Sequence, residues 1–166
     1  MKVKNLNNHI EHIVEGYKQQ LQYYEKFLIL AKKQQSITAI GDIQVLQEVL
    51  QKRSETIDSI IEIDKSVSLH KEAAMNILHL KEFQLDKVVD LIHPDLRKEL
   101  ETQTEAIRQV INGIFDVDRK NAELLKNEMS KAANERNKIQ QHFEMQQAYL
   151  DRPEKFPEPR FVDKKK

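Results

Sequence analysis

Two sets of histidines with nearby glutamates are the strongest candidates for chemistry in this 166-residue chain. His9, His12 and Glu15 follow one another at three-residue steps, and Glu82 follows His79 at the same spacing. Helical bundles that bind metals through carboxylates use Glu-x-x-His pairs together with inward-facing glutamates. Here the order is reversed, and the helix faces expected to meet the core carry Ile, Leu and Tyr. We therefore expect solvated or boundary histidines and no metal site.

Other catalytic signatures are absent from the sequence. With no cysteine, the chain has neither a thiolate nucleophile nor a disulfide. The three glycines are isolated, so no phosphate-binding loop is present, and no Ser–His–Asp grouping has a recognisable local pattern. Glu101 and Glu105 lie one helical turn apart, which is typical of a solvated surface. We expect no enzymatic activity and no cofactor.

The charge balance and the N-terminus bear on partners and location. Lys+Arg and Asp+Glu number 27 each, so the basic surplus that a nucleic-acid-binding protein needs is missing. The N-terminal segment "MKVKNLNNHI" lacks the apolar core of a secretory signal, and no apolar run approaches the length of a membrane span. A cytoplasmic protein without a membrane span is expected.

The scarcity of helix breakers indicates an all-α fold. Only three Gly and four Pro occur, and three of the prolines fall in the last fourteen residues. We predict one helical bundle domain over residues 1–150 and an extended or disordered Pro- and Lys-containing tail over 151–166. The bundle should be elongated and coiled-coil-like, with an antiparallel hairpin, short helices and one long C-terminal helix.

The hairpin is predicted from two apolar stripes and the turn between them. The first helix should run from about Asn5 to Ala39, with Gly16 costing it about 1 kcal/mol relative to alanine. Gly41 suits a position just past a helix end, and Asp42 suits the N-cap of a second helix that ends near Val67. The expected stripes are Leu6, Ile10, Ile13, Tyr17, Leu21, Tyr24, Leu28 and Ala31 on the first helix, and Ile43, Leu46, Leu50, Ile57 and Ile60 on the second. Arg53 and Asp64 interrupt the second stripe, which favours a bundle over a two-stranded zipper.

The remaining helices have uneven apolar patterns. Residues 66–93 predict one or two short helices that cross back along the hairpin. Pro94 should open the last helix, which continues to about Leu150. Its early stripe is dense (Leu96, Leu100, Ile107, Ile111 and Ile114), and its later stripe is thin (Leu125, Met129, Ala132, Ile139 and Phe143). Such thinning indicates a helix that leaves the core and is available to a partner.

Three segments resemble the FlgN-type flagellar export chaperones. The hairpin segment "ITAIGDIQVLQEVLQKRSETID", the stretch "IFDVDRKNAELLKNEM" in the last helix and the ending "RFVDKKK" are similar to segments of these proteins. The resemblance covers roughly residues 6–166, although residues 67–93 match no family pattern. FliT-type chaperones share the architecture, and the sequence does not separate the two branches.

The resemblance implies a cytoplasmic chaperone of the flagellar type III export apparatus. FlgN-type members bind the C-terminal helices of hook–filament junction proteins, prevent premature assembly and deliver these clients to the export machinery, whereas FliT-type members serve the filament cap. Client binding is expected in the C-terminal part of the chaperone. The candidate client-binding residues are Leu125, Met129, Ala132, Ile139, Phe143, Tyr149 and Leu150.

Two alternatives stay open at this point. Leu125 and Met129 are better explained by packing against residues 67–93 or another copy of the chain, whereas Ile139, Phe143, Tyr149 and Leu150 favour partner contact. A different class of function is a structural scaffold that self-associates as a homo-oligomer through its long last helix. The asparagines of that helix (Asn121, Asn127, Asn134 and Asn137) are expected to be ordinary surface residues.

Overall fold

The computed structural model describes residues 2–150 and is helical almost throughout. Helix α1 spans Lys2–Ile40, α2 spans Ile43–Leu78, α3 spans Leu85–Val89 and α4 spans Pro94–Leu150. No strand occurs among these residues. The all-α prediction is confirmed, including the hairpin and the long C-terminal helix. The predicted tail over 151–166 lies outside the described residues.

Contacts divide the chain into two compact units, Met1–Leu124 and Leu125–Lys166. Unit 1 contains α1, α2, α3 and the first part of α4. The described part of unit 2 is the segment of α4 that begins at Leu125.

The turn between α1 and α2 has the predicted chemistry. Gly41 adopts a φ of +81°, a left-handed conformation that glycine accepts without strain, and its N–H donates to the Ile37 carbonyl at 2.9 Å. Asp42 accepts a hydrogen bond from the Val45 N–H at 3.1 Å. This N-cap satisfies one of the free donors in the first turn of α2.

Helix α2 is longer than predicted, because its buried positions continue past Val67 to Ala74. It ends where His79 takes a left-handed φ of 55° and its N–H donates to the Met75 carbonyl. The segment 66–93, for which one or two short helices were predicted, contains the end of α2 and one short helix, α3. Val88 and Val89 of α3 are buried.

The buried stripe of α2 differs from the predicted one. Ile60 is buried, but Ile43, Leu50 and Ile57 are exposed. The buried positions are Val49, Thr56, Ile60, Val67 and Ala74. Their steps of seven and four residues define a helix face about 80° from the predicted one, with Ile60 at the border of both, since each residue advances the helix by about 100°.

The main core of unit 1 brings all four helices together. Its buried members are Leu6, Ile10, Ile13 and Val14 of α1, Val67 and Ala74 of α2, Val88 of α3, Ile92, and Leu100 of α4. A smaller cluster near the turn joins Leu30, Ile37 and Val49. The predicted stripe of α1 is largely confirmed, since four of its eight members are buried and the others half-buried.

Gly16 has a role that its helix propensity conceals. A Cβ placed on Gly16 would overlap the Cγ2 methyl of Val67. The absence of a side chain at Gly16 therefore lets α1 and α2 approach closely beside Val67. Glycine lowers the stability of the isolated helix, but this helix packing requires it.

Candidate functional site

The apolar residues of α4 in unit 2 are exposed. The exposed fractions are 41% for Leu125, 66% for Met129, 70% for Ile139 and 59% for Phe143, and Ala132 is exposed as well. The side chains of Tyr149 and Leu150 lie outside the described part of the chain. Among residues 2–150, Leu125 and Met129 are not buried against residues 67–93, and packing against another copy stays a prediction.

These residues form one stripe with a regular step. We define the unit 2 stripe as Leu125, Met129, Ala132, Arg136, Ile139 and Phe143, which follow one another at alternating four- and three-residue intervals. That interval places them on one face and is the spacing of a coiled-coil seam. Single large apolar residues on a surface are ordinary, whereas extended exposed apolar patches are typical of interaction surfaces.

Arg136 occupies a stripe position between Ala132 and Ile139 and was not predicted as a site residue. Its side chain is exposed. The regular step of the stripe is the signal that identifies it, because a search for apolar residues alone skips a charged member.

Arg53 occupies a comparable position in the core-facing stripe of α2. Its Nη2 donates to both carboxylate oxygens of Asp118 on α4, at 2.8 and 2.6 Å, and its Nη1 donates to the Gln34 side chain. The guanidinium lies 4.4 Å from the centre of the Phe27 ring. A cation in an apolar stripe is thus balanced by a carboxylate from another helix and by an aromatic face.

Asn121 also belongs to this contact and corrects a prediction. It is only 3% exposed, and its Nδ2 donates to the Ala31 carbonyl at 2.9 Å. The expectation of a surface residue is therefore wrong for Asn121, because α1 covers this position of α4. Asn127, Asn134 and Asn137 are exposed, as predicted.

The histidines of α1 meet a third histidine that sequence spacing did not indicate. Nδ1 of His9 lies 3.0 Å from Nδ1 of His70 on α2. In this hydrogen bond one of the two nitrogens is the N–H donor and the other is the acceptor. The His12 ring stacks on His70 with 4.4 Å between the ring centres. Desolvation lowers the pKa of His70, and the nearby His12 and His9 lower it further. His70 lies 61 residues from His9, a separation that only tertiary structure closes.

An open cleft of about 340 Å³ lies beside this cluster, lined in part by Glu15, Glu62 and His70. Within residues 2–150 no group of three or more His, Cys, Asp or Glu side chains is placed to hold a metal ion. The cleft therefore has polar walls without the converging ligands of a metal centre.

The other acidic and histidine pairs serve local structure. His79 is the C-cap of α2, so His79 and Glu82 do not share a helix face. Glu101 pairs with Arg97 at 3.2 Å, and Glu105 pairs with Arg108 at 2.9 Å. Both glutamates are exposed, as the sequence predicted, and the sequence did not indicate their arginine partners.

Across the described residues, no helix is long and apolar enough to cross a membrane. The exposed unit 2 stripe has a spacing that suits contact with another amphipathic helix.

Comparisons with known proteins give one positive result. No curated protein and no solved structure matches the chain. The family model described as "FlgN protein" matches residues 1–152, which include both units as far as the structure describes them. Since this match covers more than half of the chain, the protein belongs to the FlgN family of flagellar export chaperones.

Proposed function

We propose that the protein acts in the cytoplasm and binds the C-terminal helices of hook–filament junction proteins before their export. Membership of the FlgN family supports the class of function. The exposed unit 2 stripe is the observation that supports the site. Binding prevents premature assembly, and the complex then delivers the client to the export machinery.

The stripe suits a helical client for energetic reasons. Burying one large apolar side chain completely contributes about 1.5–3 kcal/mol. Leu125, Met129, Ile139 and Phe143 present four such side chains, each less than fully exposed beforehand. Association costs about 4–15 kcal/mol, so the client must contribute an apolar face of its own. An amphipathic helix laid along the stripe does this.

A methionine in the stripe gives the surface tolerance for more than one client sequence. Met129 lies in the stripe and is 66% exposed, whereas Met145, two residues beyond Phe143, lies on the opposite face of α4. Unbranched thioether side chains adapt to irregular surfaces with little strain. Two related junction proteins could therefore use one site.

The proposal is tested by binding purified C-terminal segments of the hook–filament junction proteins from the same bacterium to the full chain. Calorimetry should give a one-to-one complex. The double variant Ile139→Asp/Phe143→Asp should weaken binding by at least a hundredfold, because it places two charges in the apolar contact. Asn134→Asp/Gln141→Asp, which adds two charges at exposed positions on the opposite face of α4, is the matched control. Equal binding by Ile139→Asp/Phe143→Asp and this control would overturn the proposed site.

A scaffold that self-associates is the second candidate, because the step of the unit 2 stripe also suits pairing with a second copy. Sedimentation velocity of the full chain without a client separates the two. The chaperone proposal expects a monomer at micromolar concentration and a complex when client is added. A stable client-free oligomer that the Ile139→Asp/Phe143→Asp variant dissociates would favour the scaffold. Parallel binding of a filament-cap segment would test the FliT-like alternative for the client.

A further inference from the structure

Arg136 is the one charged member of the unit 2 stripe. Its neighbours at three and four residues along the helix are Ala132, Ala133, Ile139 and Gln140, none of which is acidic. Among residues 2–150, Arg136 forms no ion pair. A cation within an apolar contact needs a compensating charge when water is removed from around it.

Every other basic residue of α4 has a carboxylate within its own helix at that spacing. The structure pairs Arg97 with Glu101, Arg108 with Glu105 and Lys131 with Glu128. In sequence, Lys98 has Asp95 and Glu101, Arg119 and Lys120 have Asp116 and Glu123, Lys126 has Glu123, and Lys138 has Glu135. Arg136 is the single exception among these nine.

Arg53 shows how this protein accommodates such an exception. Its neighbours at three and four residues are Val49, Leu50, Thr56 and Ile57, so α2 supplies no carboxylate. Asp118 of α4 supplies it instead, through two contacts at 2.8 and 2.6 Å. In unit 1, a stripe arginine without an acidic neighbour on its own helix receives its counter-charge from the helix packed against it.

We propose that Arg136 is a specificity-determining residue that selects a partner helix carrying an Asp or Glu within its apolar face. This inference rests on the proposed function and adds a chemical requirement on the client. A second copy fits the requirement poorly, since the stripe itself carries no carboxylate. Parallel, in-register pairing of two copies would also place Arg136 against Arg136.

The first test uses three synthetic 28-residue amphipathic helices that differ at one central position of the apolar face, which is Glu, Gln or Lys. Fluorescence anisotropy measures their binding to the full chain. The wild type should bind the Glu peptide about tenfold more tightly than the Gln peptide, and the Lys peptide most weakly. Arg136→Glu should reverse the order, so that the Lys peptide binds most tightly.

Lys138→Glu is the matched control, because it makes the same change of charge two residues away and off the stripe. It should keep the wild-type order of the three peptides. The inference is overturned if the wild type binds all three equally, if none of them binds, or if Arg136→Glu and Lys138→Glu give the same order.

The second test uses the C-terminal segment of a hook–filament junction protein. Arg136→Gln should weaken its binding about tenfold. Changing the client carboxylate that pairs with Arg136 to Lys should also weaken binding, and Arg136→Glu should restore the binding of that client variant. If the segment binds wild type and Arg136→Gln equally, the charge requirement fails while the proposed function stands. If the segment does not bind but the Glu peptide is selected, the client assignment fails while the charge requirement stands.

Discussion

Units 1 and 2 contain apolar stripes of similar step on one helix, α4, yet these stripes differ in burial. In unit 1, Leu100 is completely buried and Ile114 is 8% exposed. In unit 2, Ile139 is 70% exposed and Phe143 is 59% exposed. The first set has α1, α2 and α3 packed over it, so the stripe becomes a core. An apolar stripe therefore specifies a face for contact, and the neighbouring elements decide whether that contact is internal.

The two stripe arginines extend this comparison to charge. Arg53 is paired with Asp118 and lies over the Phe27 ring. Arg136 has no carboxylate within reach on its own helix. Arg53 therefore has its counter-charge within the fold, whereas Arg136 has none among residues 2–150.

The largest contrast should come from truncating one stripe residue in each unit. Leu100→Ala should lower the free energy of unfolding by about 2–5 kcal/mol, since it leaves a cavity in the core. Ile139→Ala should change it by less than about 0.5 kcal/mol, because the side chain is already exposed. Urea unfolding followed by circular dichroism checks both. A loss of comparable size at Ile139 would show that the unit 2 stripe is covered in the free protein.

Two glycines offer a second contrast within unit 1. Gly16→Ala should destabilise the fold by about 1–3 kcal/mol, because its Cβ would overlap the Val67 methyl. Gly113→Ala should be neutral or stabilise by up to about 1 kcal/mol, since its Cβ would lie 3.6 Å from Leu28, an ordinary contact. Thermal melts of the two variants measure the difference, and equal shifts would contradict the close approach of α1 and α2.

Breaking the Arg53–Asp118 pair should have a third and smaller effect on the free energy of unfolding. Asp118→Asn should cost about 1–2 kcal/mol, since Arg53 remains half-buried with a weaker acceptor. In unit 2, Glu128→Gln removes the exposed pair with Lys131 and should leave stability unchanged. Denaturant titrations at low and high salt provide the comparison. No loss for Asp118→Asn would remove the precedent on which the role of Arg136 depends.

The histidine cluster of unit 1 predicts a dependence on pH. The pKa of His70 is lowered in the fold, so the unfolded chain binds the proton more readily. Stability is therefore complete above the unfolded value of about 6.5 and falls as the pH drops below it. His70→Gln should flatten this decline, whereas His142→Gln in unit 2 should not. Melting temperatures between pH 5 and 8 test it, and an unchanged slope in His70→Gln would contradict the prediction.

The smallest effect concerns the end of α2. His79 adopts φ 55°, which costs a side-chain-bearing residue energy that glycine avoids. His79→Gly should stabilise the fold by about 0.5–1 kcal/mol. Its control is His142→Gly in the helical interior of unit 2, which should reduce local helicity. Hydrogen exchange at Leu78 and Leu80 provides a local measurement, and faster exchange there in His79→Gly would contradict the assignment.

The sequence predicted the helices and the turn well because these depend on local signals. Gly41 and Asp42 identified the first turn, and Pro94 identified the start of α4. The end of α2 was missed because Ala74 and the half-buried residues near it give a weak apolar signal. The buried face of α2 was also misplaced, since Ile43, Leu50 and Ile57 are apolar yet exposed.

The candidate site divides in the same way. The step of Leu125, Met129, Ala132, Ile139 and Phe143 was visible in the sequence, and their role in client binding stays a prediction. The sequence did not indicate Arg136, whose meaning depends on comparison with the Arg53–Asp118 pair. It also did not indicate that His70 joins His9 and His12, because no local pattern relates residues so far apart.

The sequence by itself determined that this protein is a chain of long helices without cysteine and that Gly41 and Asp42 form the turn between the first two helices. Propensity, capping and periodicity act over a few residues, so one chain reveals them. Only the tertiary structure decided which apolar faces are covered and which charges find partners. Those outcomes depend on contacts such as Asn121 with Ala31, where residues 90 positions apart come together.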